Sequence, residues 1–178
     1  MKIFTLLLTS LLLLAGNTAR SDVTAAGDTG FSIHYTIPLD ATPERTYQAI
    51  VEEVGKWWIA DHTWSGDPAN LSIEARAGGC FCEKLAGGGS MQHMQVTWAQ
   101  PGKEIRMTGG LGPLQMMGVH GGMQWLLKAT EEGSVLEYNY VVTGFSPDGL
   151  GNLAPIVNTV QGQQVEALSA YLATPAGE

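Results

Sequence analysis

The feature that most constrains the fold of this chain is a run of short strand-like segments followed by one long amphipathic segment at the carboxyl end. Between Leu71 and Phe145, segments rich in strand-forming residues are separated by glycine or proline turns, which predicts an antiparallel meander. The predicted strands of this region span residues 71–76, 79–85, 91–98, 104–109, 120–130 and 134–144.

The carboxyl-terminal segment predicts a helix with one apolar face. The residues of that face recur at helical spacing: Leu153, Ile156, Val157, Val160, Gln164, Ala167, Leu168 and Tyr171. A long helix that follows a curved antiparallel sheet can bury such a stripe by lying in the concave face of the sheet. We expect this arrangement to leave a cavity between the helix and the sheet.

The segment before the meander predicts one strand and two short helices. Apolar residues alternate with polar ones in the period-2 pattern of a half-buried strand at Phe31, Ile33, Tyr35 and Ile37. Thr42 is a suitable N-cap and Pro43 suits the first helical position, so a helix should begin there and end at Gly55. A second short helix or turn then carries Trp57, Trp58 and Trp64. The sequence therefore predicts an α+β fold in which a curved antiparallel sheet wraps around a long carboxyl-terminal helix.

The first residues predict a cleavable export signal. Lys2 is followed by an apolar run over residues 3–15 and then by polar residues. This run is shorter than the roughly 20 residues that a membrane-spanning helix needs, so we interpret residues 1–21 as a signal peptide. A retained membrane anchor is the alternative, and cleavage sites a few residues to either side of Ser21 stay open.

Export would place the mature chain in the periplasm or outside the cell, with one domain. Residues 22–30 are small and polar and include two glycines, which predicts a flexible leader. The domain itself is expected over residues 31–174, because no internal repeat or second boundary interrupts it. We expect no stable membrane insertion after cleavage.

Net charge argues against nucleic acid as a partner. The whole chain has a formal charge of −8, and loss of Lys2 and Arg20 with the signal peptide lowers it to −10. Phosphate backbones are bound by clustered lysine and arginine, and the sequence has no such cluster. The sequence does not identify a protein partner.

Three phrases in this order resemble a known superfamily. They are Ile37-Pro38-Leu39-Asp40-Ala41-Thr42-Pro43-Glu44 with Tyr47 and Trp57-Trp58 after it, Gly78-Gly79-Cys80-Phe81-Cys82-Glu83, and Val96-Thr97-Trp98-Ala99-Gln100-Pro101-Gly102-Lys103-Glu104-Ile105. Together they resemble the START-like superfamily often labelled SRPBCC. Within it, the chain is similar to polyketide cyclase/dehydrase-like proteins and to homologues of the activator of heat-shock-protein ATPase. The resemblance covers most of residues 31–172.

This resemblance implies a helix-grip fold in which the sheet wraps the last helix around a hydrophobic cavity. It implies no particular reaction, because members of the superfamily bind lipids, sterols, polyketides or proteins and some are enzymes. The predicted export signal departs from the usual cytosolic location of the family, and this argues against a role as a chaperone co-regulator.

Cys80, Cys82 and His93 are the residues that most suggest a metal site. Zinc sites use three or four protein ligands at recognisable spacing, and this set is too small, so we predict no metal and no cofactor. A bond between Cys80 and Cys82 is expected to be strained, since one residue separates them on one strand face. Free thiols, a regulatory redox pair and simple packing stay open. Glu83 is expected on the other side of the sheet from both cysteines.

Methionine and tryptophan are concentrated where a pocket is expected. Six methionines lie close together in the chain: Met91, Met94, Met107, Met116, Met117 and Met123. Flexible thioethers suit an adaptable pocket or a core. Two adjacent tryptophans cannot both point inward from one helix, so Trp57 or Trp58 is expected at a cavity entrance or against a partner. The glycine-rich apolar loop at 109–118 is expected to be a flap over the pocket or a turn packed on the core.

No set of nucleophile, base and orienting acid is legible in the sequence. We therefore favour a non-enzymatic, exported protein that binds a small hydrophobic ligand, either a lipid or an aromatic, polyketide-like molecule. One alternative is a cyclase- or hydrolase-like enzyme with His62, His93 or His120 as acid–base group. The other is a protein-interaction module without a cavity. The predicted ligand-binding residues are Trp57, Trp64, Phe81, His93, Met107, Met116, Met123, Trp125, Tyr138, Tyr140, Val157 and Val160.

Overall fold

The meander predicted from the sequence forms six consecutive strands of an eight-stranded antiparallel sheet. The computed structural model describes residues 20–174, and the sheet order is β1-β2-β8-β7-β6-β5-β4-β3. The strands are β1 (Arg20–Gly27), β2 (Gly30–Leu39), β3 (Leu71–Ile73), β4 (Cys80–Lys84), β5 (Ser90–Gln100), β6 (Glu104–Thr108), β7 (His120–Ala129) and β8 (Ser134–Thr143). Strands β3 to β8 are neighbours in sequence and in space, and β2 pairs with β8, so an early strand lies beside the last one.

Three α-helices accompany the sheet in the described residues: α1 (Pro43–Glu52), α2 (Val54–Trp57) and α3 (Ala154–Ala173). The predicted cap of α1 is confirmed, because the Thr42 side chain accepts a hydrogen bond from the Arg45 amide at 3.3 Å. Helix α1 ends at Glu52, three residues before Gly55. Gly55 lies inside α2, where an added Cβ would come within 2.7 Å of the Pro68 carbonyl oxygen. Close approach of two backbone segments therefore accounts for this glycine.

The predicted helix-grip fold is confirmed. Strand β2 alternates regularly, and its inward side chains are each no more than 3% exposed: Phe31, Ile33, Tyr35, Ile37 and Leu39. Helix α3 lies across this concave face, contacts β1 and β2, and buries Val165 and Leu168 in the core. The apolar face of the helix and the inner face of the curved sheet thus cover one another.

Residues 22–30 are not a flexible leader. Residues 20–27 form β1, an edge strand antiparallel to β2, in which Asp22 lies opposite His34 and Ala26 lies opposite Phe31. Most side chains of β1 are exposed, so the strand has no alternating pattern and is held through its backbone pairing with β2. Residues 1–19, which make up most of the predicted signal peptide, lie outside the described residues. No helix found between residues 20 and 174 combines the length and the apolar character that crossing a membrane requires.

Cys80 and Cys82 form a disulfide, and the sequence alone had left free thiols, a redox pair and simple packing open for them. Their Cα atoms are 5.3 Å apart, whereas a regular strand would place them roughly 6.6 Å apart. The ladder between β4 and β5 is irregular between Phe81 and Cys82, because β5 carries a bulge there. The contraction of β4 at this point brings the two Cα atoms close to the spacing of common disulfides, about 5.5–6 Å.

Replacing both Cys80 and Cys82 with serine is expected to lower the free energy of unfolding by only about 1.5 kcal/mol, because the bond closes a very short loop. Urea denaturation of the double variant and of the wild type, with and without dithiothreitol, measures this. The reductant should lower the wild type to the stability of the variant and leave the variant unchanged. Wild-type protein that is insensitive to the reductant would show that the two sulfurs are not bonded in solution.

Candidate functional site

One mostly apolar cavity lies at one end of the grip, between α3, the loop that follows β6 and the segment that follows α2. Its volume is about 510 Å³, and Trp58, His93, Leu114, Val157 and Val160 are among its lining residues. We call this space the grip cavity. A volume of this size matches the clefts in which proteins enclose small organic ligands.

The amino-terminal half of α3 supplies one wall of the grip cavity. Leu153, Ile156, Val157 and Val160 all line the space, and Ile156 is 63% exposed. Farther along the helix, the apolar residues are instead buried against the sheet. The stripe predicted from the sequence thus divides in two: its second half packs in the core, and its first half faces the cavity.

The glycine-rich loop at 109–118 supplies a second wall. Its centre is a 3₁₀ turn over Gly112–Gln115, and Leu111 and Leu114 are buried beneath it. The Leu111 amide donates a hydrogen bond to the Tyr140 hydroxyl at 3.2 Å, which ties the loop to β8. This loop lies over the cavity, as one of the two expectations had it, and Met116 at its tip is 84% exposed.

Both adjacent tryptophans are buried, contrary to the sequence expectation. Trp57 is the last residue of α2, and Trp58 adopts extended backbone, so the helical geometry that would force them apart ends between them. Trp57 donates from Nε1 to the Ala49 carbonyl oxygen at 2.8 Å and packs in the core. Trp58 lines the grip cavity instead. The residue at the cavity is therefore the neighbour of the one predicted.

His93 reaches the cavity because of the bulge in β5. Phe81 pairs with Met94 and Cys82 pairs with Gln92, which leaves His93 as the extra residue of β5. His93 and Met94 are consequently both buried, although they are consecutive in a strand. The His93 side chain lines the grip cavity and is 6% exposed.

Glu83 is a fully buried carboxylate that holds His93 and one cavity wall in place. It accepts a hydrogen bond from His93 Nε2 at 2.9 Å, and it also accepts from the backbone amides of Trp64 and Ser65, at 3.1 and 2.5 Å. As expected, it lies on the inner face of β4, opposite the two cysteines. A buried carboxylate is costly unless it is paired and hydrogen-bonded, and here it is both.

Burial and hydrogen bonds together determine the charge states of Glu83 and His93. Burial alone would raise the pKa of Glu83, but hydrogen bonds from Ser65, Trp64 and His93 outweigh it and hold the pKa below its usual value. For His93, burial lowers the pKa, and the hydrogen bond to Glu83 opposes that effect without reversing it. Near pH 7 the pair is therefore an ionised Glu83 and a neutral His93.

The other predicted acid–base residues lie in different places. His62 lines the mouth of the grip cavity and is hydrogen-bonded through Nε2 to Gln163 Oε1 at 2.8 Å. His120 is exposed at the start of β7, away from the cavity. Cys80 and Cys82 lie on the sheet face opposite His93, so these three do not converge on a metal. Among residues 20–174, no group of three or more His, Cys, Asp or Glu side chains is arranged to hold one.

The predicted ligand-binding residues lie in three different places. Four of them line the grip cavity: Trp64, His93, Val157 and Val160. Seven others are buried in the core around α3 and the sheet: Trp57, Phe81, Met107, Met123, Trp125, Tyr138 and Tyr140. Met116 lies on the surface beside a different groove. Trp58, one of the two tryptophans expected at a cavity entrance, also lines the cavity. Glu83, Leu114 and Gln161 were missed, although Glu83 shares its strand face with Phe81, and that spacing was a usable signal.

Two further concave spaces are less suited to a ligand. A larger groove of about 1060 Å³ on the other side of Trp64 is more open, and Lys84, Ser90 and Gln92 are among its polar lining residues. Another, of about 610 Å³, runs between α3 and β2 and is lined mainly by polar or small residues of the helix. The grip cavity is the smallest of the three, but it is the most apolar and contains the buried histidine.

Comparison with solved structures identifies the same fold in other proteins. CalU16 from Micromonospora echinospora is 15% identical, with a TM-score of 0.59 over 86% of this chain and 84% of CalU16. The Aha1 dimer from Colwellia psychrerythraea is 21% identical, with a TM-score of 0.54 over 82% of this chain and 98% of that one. DynU16, a protein in the dynemicin biosynthetic locus, is 15% identical, with a TM-score of 0.56 over 80% of this chain and 47% of DynU16.

These similarities show that the chain shares its fold with these proteins. No protein-family model matches the sequence, and no curated protein does. At such low identities a shared fold does not transfer a reaction or a ligand, so function has to be argued from the cavity itself.

Proposed function

We propose that this chain is an exported protein that binds a small hydrophobic ligand in the grip cavity. The observation that carries this proposal is that the apolar amino-terminal half of α3 faces an open cavity. Val157 and Val160 face a cavity of about 510 Å³ instead of packed side chains. Apolar surface held apart in this way is stabilised when a ligand displaces water from it.

The surroundings of the cavity support a guest of limited size. Trp58, Leu114 and Pro113 make its walls apolar, and polar groups are few and mostly lie at its mouth. The cavity also favours this proposal over a protein-interaction module without one. Similarity of fold to a protein in the dynemicin biosynthetic locus further supports a small organic ligand, either a lipid or an aromatic molecule.

Export is proposed on the sequence alone. The apolar run over residues 3–15 is typical of a signal peptide. A disulfide between Cys80 and Cys82 also suits an oxidising compartment, because such bonds are reduced in most cytosols.

Titration with the fluorescent probe N-phenyl-1-naphthylamine tests the binding function directly. We expect saturation at one probe per chain, with a dissociation constant on the order of 10 μM, and displacement of the probe by fatty acids or by aromatic polyketides. Native mass spectrometry of protein purified from its own compartment should show a bound small molecule. Protein that is ligand-free and binds neither the probe nor any competitor would contradict the proposal.

A cyclase- or hydrolase-like enzyme is the second candidate, and one observation favours it. Of the three histidines considered, His93 lies within the grip cavity beside the buried carboxylate of Glu83. A neutral histidine oriented by a carboxylate can act as a general base. Conversion of a bound ligand that stops in His93→Gln, with probe binding retained, would favour the enzyme over the carrier.

A further inference from the structure

We propose that the grip cavity selects ligands that carry a hydroxyl group on an apolar body, and that His93 Nδ1 accepts the hydrogen bond from that hydroxyl. The inference rests on the proposed ligand-binding function. It adds the chemical class of the ligand and the atom that recognises it.

The tautomer of His93 follows from its partner. Nε2 lies 2.9 Å from Glu83 Oε2. Glu83 receives two backbone N–H donors as well, which keeps it ionised, and an ionised carboxylate can only accept hydrogen bonds. Nε2 must therefore carry the proton. In a neutral imidazole this leaves Nδ1 unprotonated, as an acceptor.

His93 Nδ1 has no hydrogen-bond partner among residues 20–174, whereas Nε2 has one. The whole side chain is only 6% exposed, and it lines the grip cavity, so the cavity is the space to which Nδ1 has access. Nδ1 is not one of the fully buried atoms that lack a partner, so water can reach it from the cavity. A ligand that displaces this water leaves Nδ1 without a partner, at a cost in free energy, unless the ligand itself donates a hydrogen bond there.

The other polar groups of the cavity are already engaged or lie at its mouth. Thr63 Oγ1 donates to the Ala60 carbonyl oxygen at 2.7 Å. Asp61 lines the cavity but is exposed, so water competes for its carboxylate. Gln161 accepts at Oε1 from the Tyr138 hydroxyl at 2.7 Å, and its amide nitrogen is left as a donor. The cavity thus offers one acceptor, His93 Nδ1, and one donor, the amide nitrogen of Gln161. A hydroxyl group can pair with both, because it donates one hydrogen bond and also accepts.

A matched pair of ligands tests this selectivity. 2-Naphthol and 2-methoxynaphthalene share the apolar body, but only the first can donate a hydrogen bond. Their dissociation constants are measured at pH 7.5 by displacement of N-phenyl-1-naphthylamine from the wild type, from His93→Phe and from the control His120→Phe, since His120 is exposed and does not line the grip cavity. We expect the wild type and the control to bind 2-naphthol at least about tenfold more tightly than 2-methoxynaphthalene. His93→Phe should bind the two compounds equally.

The possible failures are distinguishable. Equal binding of both naphthalenes to the wild type, or displacement of the probe by neither of them, would overturn the hydroxyl inference and leave the proposed function intact. Failure of the probe itself to bind would overturn both. A preference that survives in His93→Phe would assign recognition to another group and overturn the role of His93.

A second measurement uses the wild type alone and does not depend on the folding of His93→Phe, which removes a partner of a buried carboxylate. Long-range ¹H–¹⁵N spectra of the four histidine side chains report the tautomer of each ring. We expect the His93 ring to carry its proton at Nε2, and its Nδ1 resonance to shift on addition of 2-naphthol and not on addition of 2-methoxynaphthalene. A protonated Nδ1, or an Nδ1 signal that does not respond to 2-naphthol, would overturn the inference.

Discussion

Replacing Glu83 with alanine is expected to lower the free energy of unfolding by about 3–5 kcal/mol, the largest effect we expect from a single polar residue. Glu83 is fully buried and accepts hydrogen bonds from the Trp64 and Ser65 amides and from His93. Its removal leaves three donors without their acceptor and opens a cavity in the core. Urea denaturation at pH 7 measures the loss. Glu131→Ala is the matched control, since Glu131 is exposed and its removal should cost less than about 0.5 kcal/mol.

The same carboxylate should make stability depend on pH. Because the folded-state pKa of Glu83 lies below its ordinary value of 4.5, its contribution is fully present above that value and is lost as the pH falls through the folded pKa. Glu83→Gln keeps the shape and removes the titration. The difference in stability between the wild type and Glu83→Gln should therefore shrink as the pH falls below about 4.5. A difference that stays constant from pH 7 to pH 3 would show that folding does not lower the pKa of Glu83.

How far the sequence predicts this fold depends on where the stabilising contacts lie. Strand β2 and the helix cap at Thr42 could be predicted from the sequence, because alternation and capping are local patterns. Strand β1 was not, since its pairing with β2 is made by backbone groups and its side chains face solvent. Helix α2 ends at Trp57 and the backbone becomes extended at Trp58. Two consecutive tryptophans in the sequence do not indicate this change.

The candidate site was harder to predict than the fold, and the bulge in β5 is the main reason. Regular alternation cannot bury both His93 and Met94, and an extra residue in the strand does so. The partnership of His93 with Glu83 then depends on the register of two strands, and the charge of Glu83 depends on amides from the Trp64–Ser65 segment. Aromatic residues such as Tyr138 were correctly placed on the inner face but belong to the packed core.

The geometry that makes His93 available also explains why the cavity lies at one end of the grip. Tyr138, Trp125 and Tyr35 fill the middle of the concave face, where Tyr138 packs edge-on against the other two rings. Val157 and Val160, in the amino-terminal half of α3, face space that these rings do not fill. The cavity is thus a consequence of where the large side chains are placed along the sheet. Filling that space should remove binding without harming the fold.

Val157→Trp is therefore expected to weaken binding of N-phenyl-1-naphthylamine at least about tenfold, equivalent to about 1.4 kcal/mol, because an indole ring at this position occupies the cavity. Stability should change by less than about 1 kcal/mol, since the ring enters existing space and does not displace packed atoms. Ala170→Trp is the matched control, because Ala170 is exposed on the same helix and does not line the grip cavity. Fluorescence titration and urea denaturation of both variants measure the two quantities. Unchanged affinity in Val157→Trp would place the probe elsewhere, and equal losses in both variants would attribute the effect to the added ring and not to occlusion.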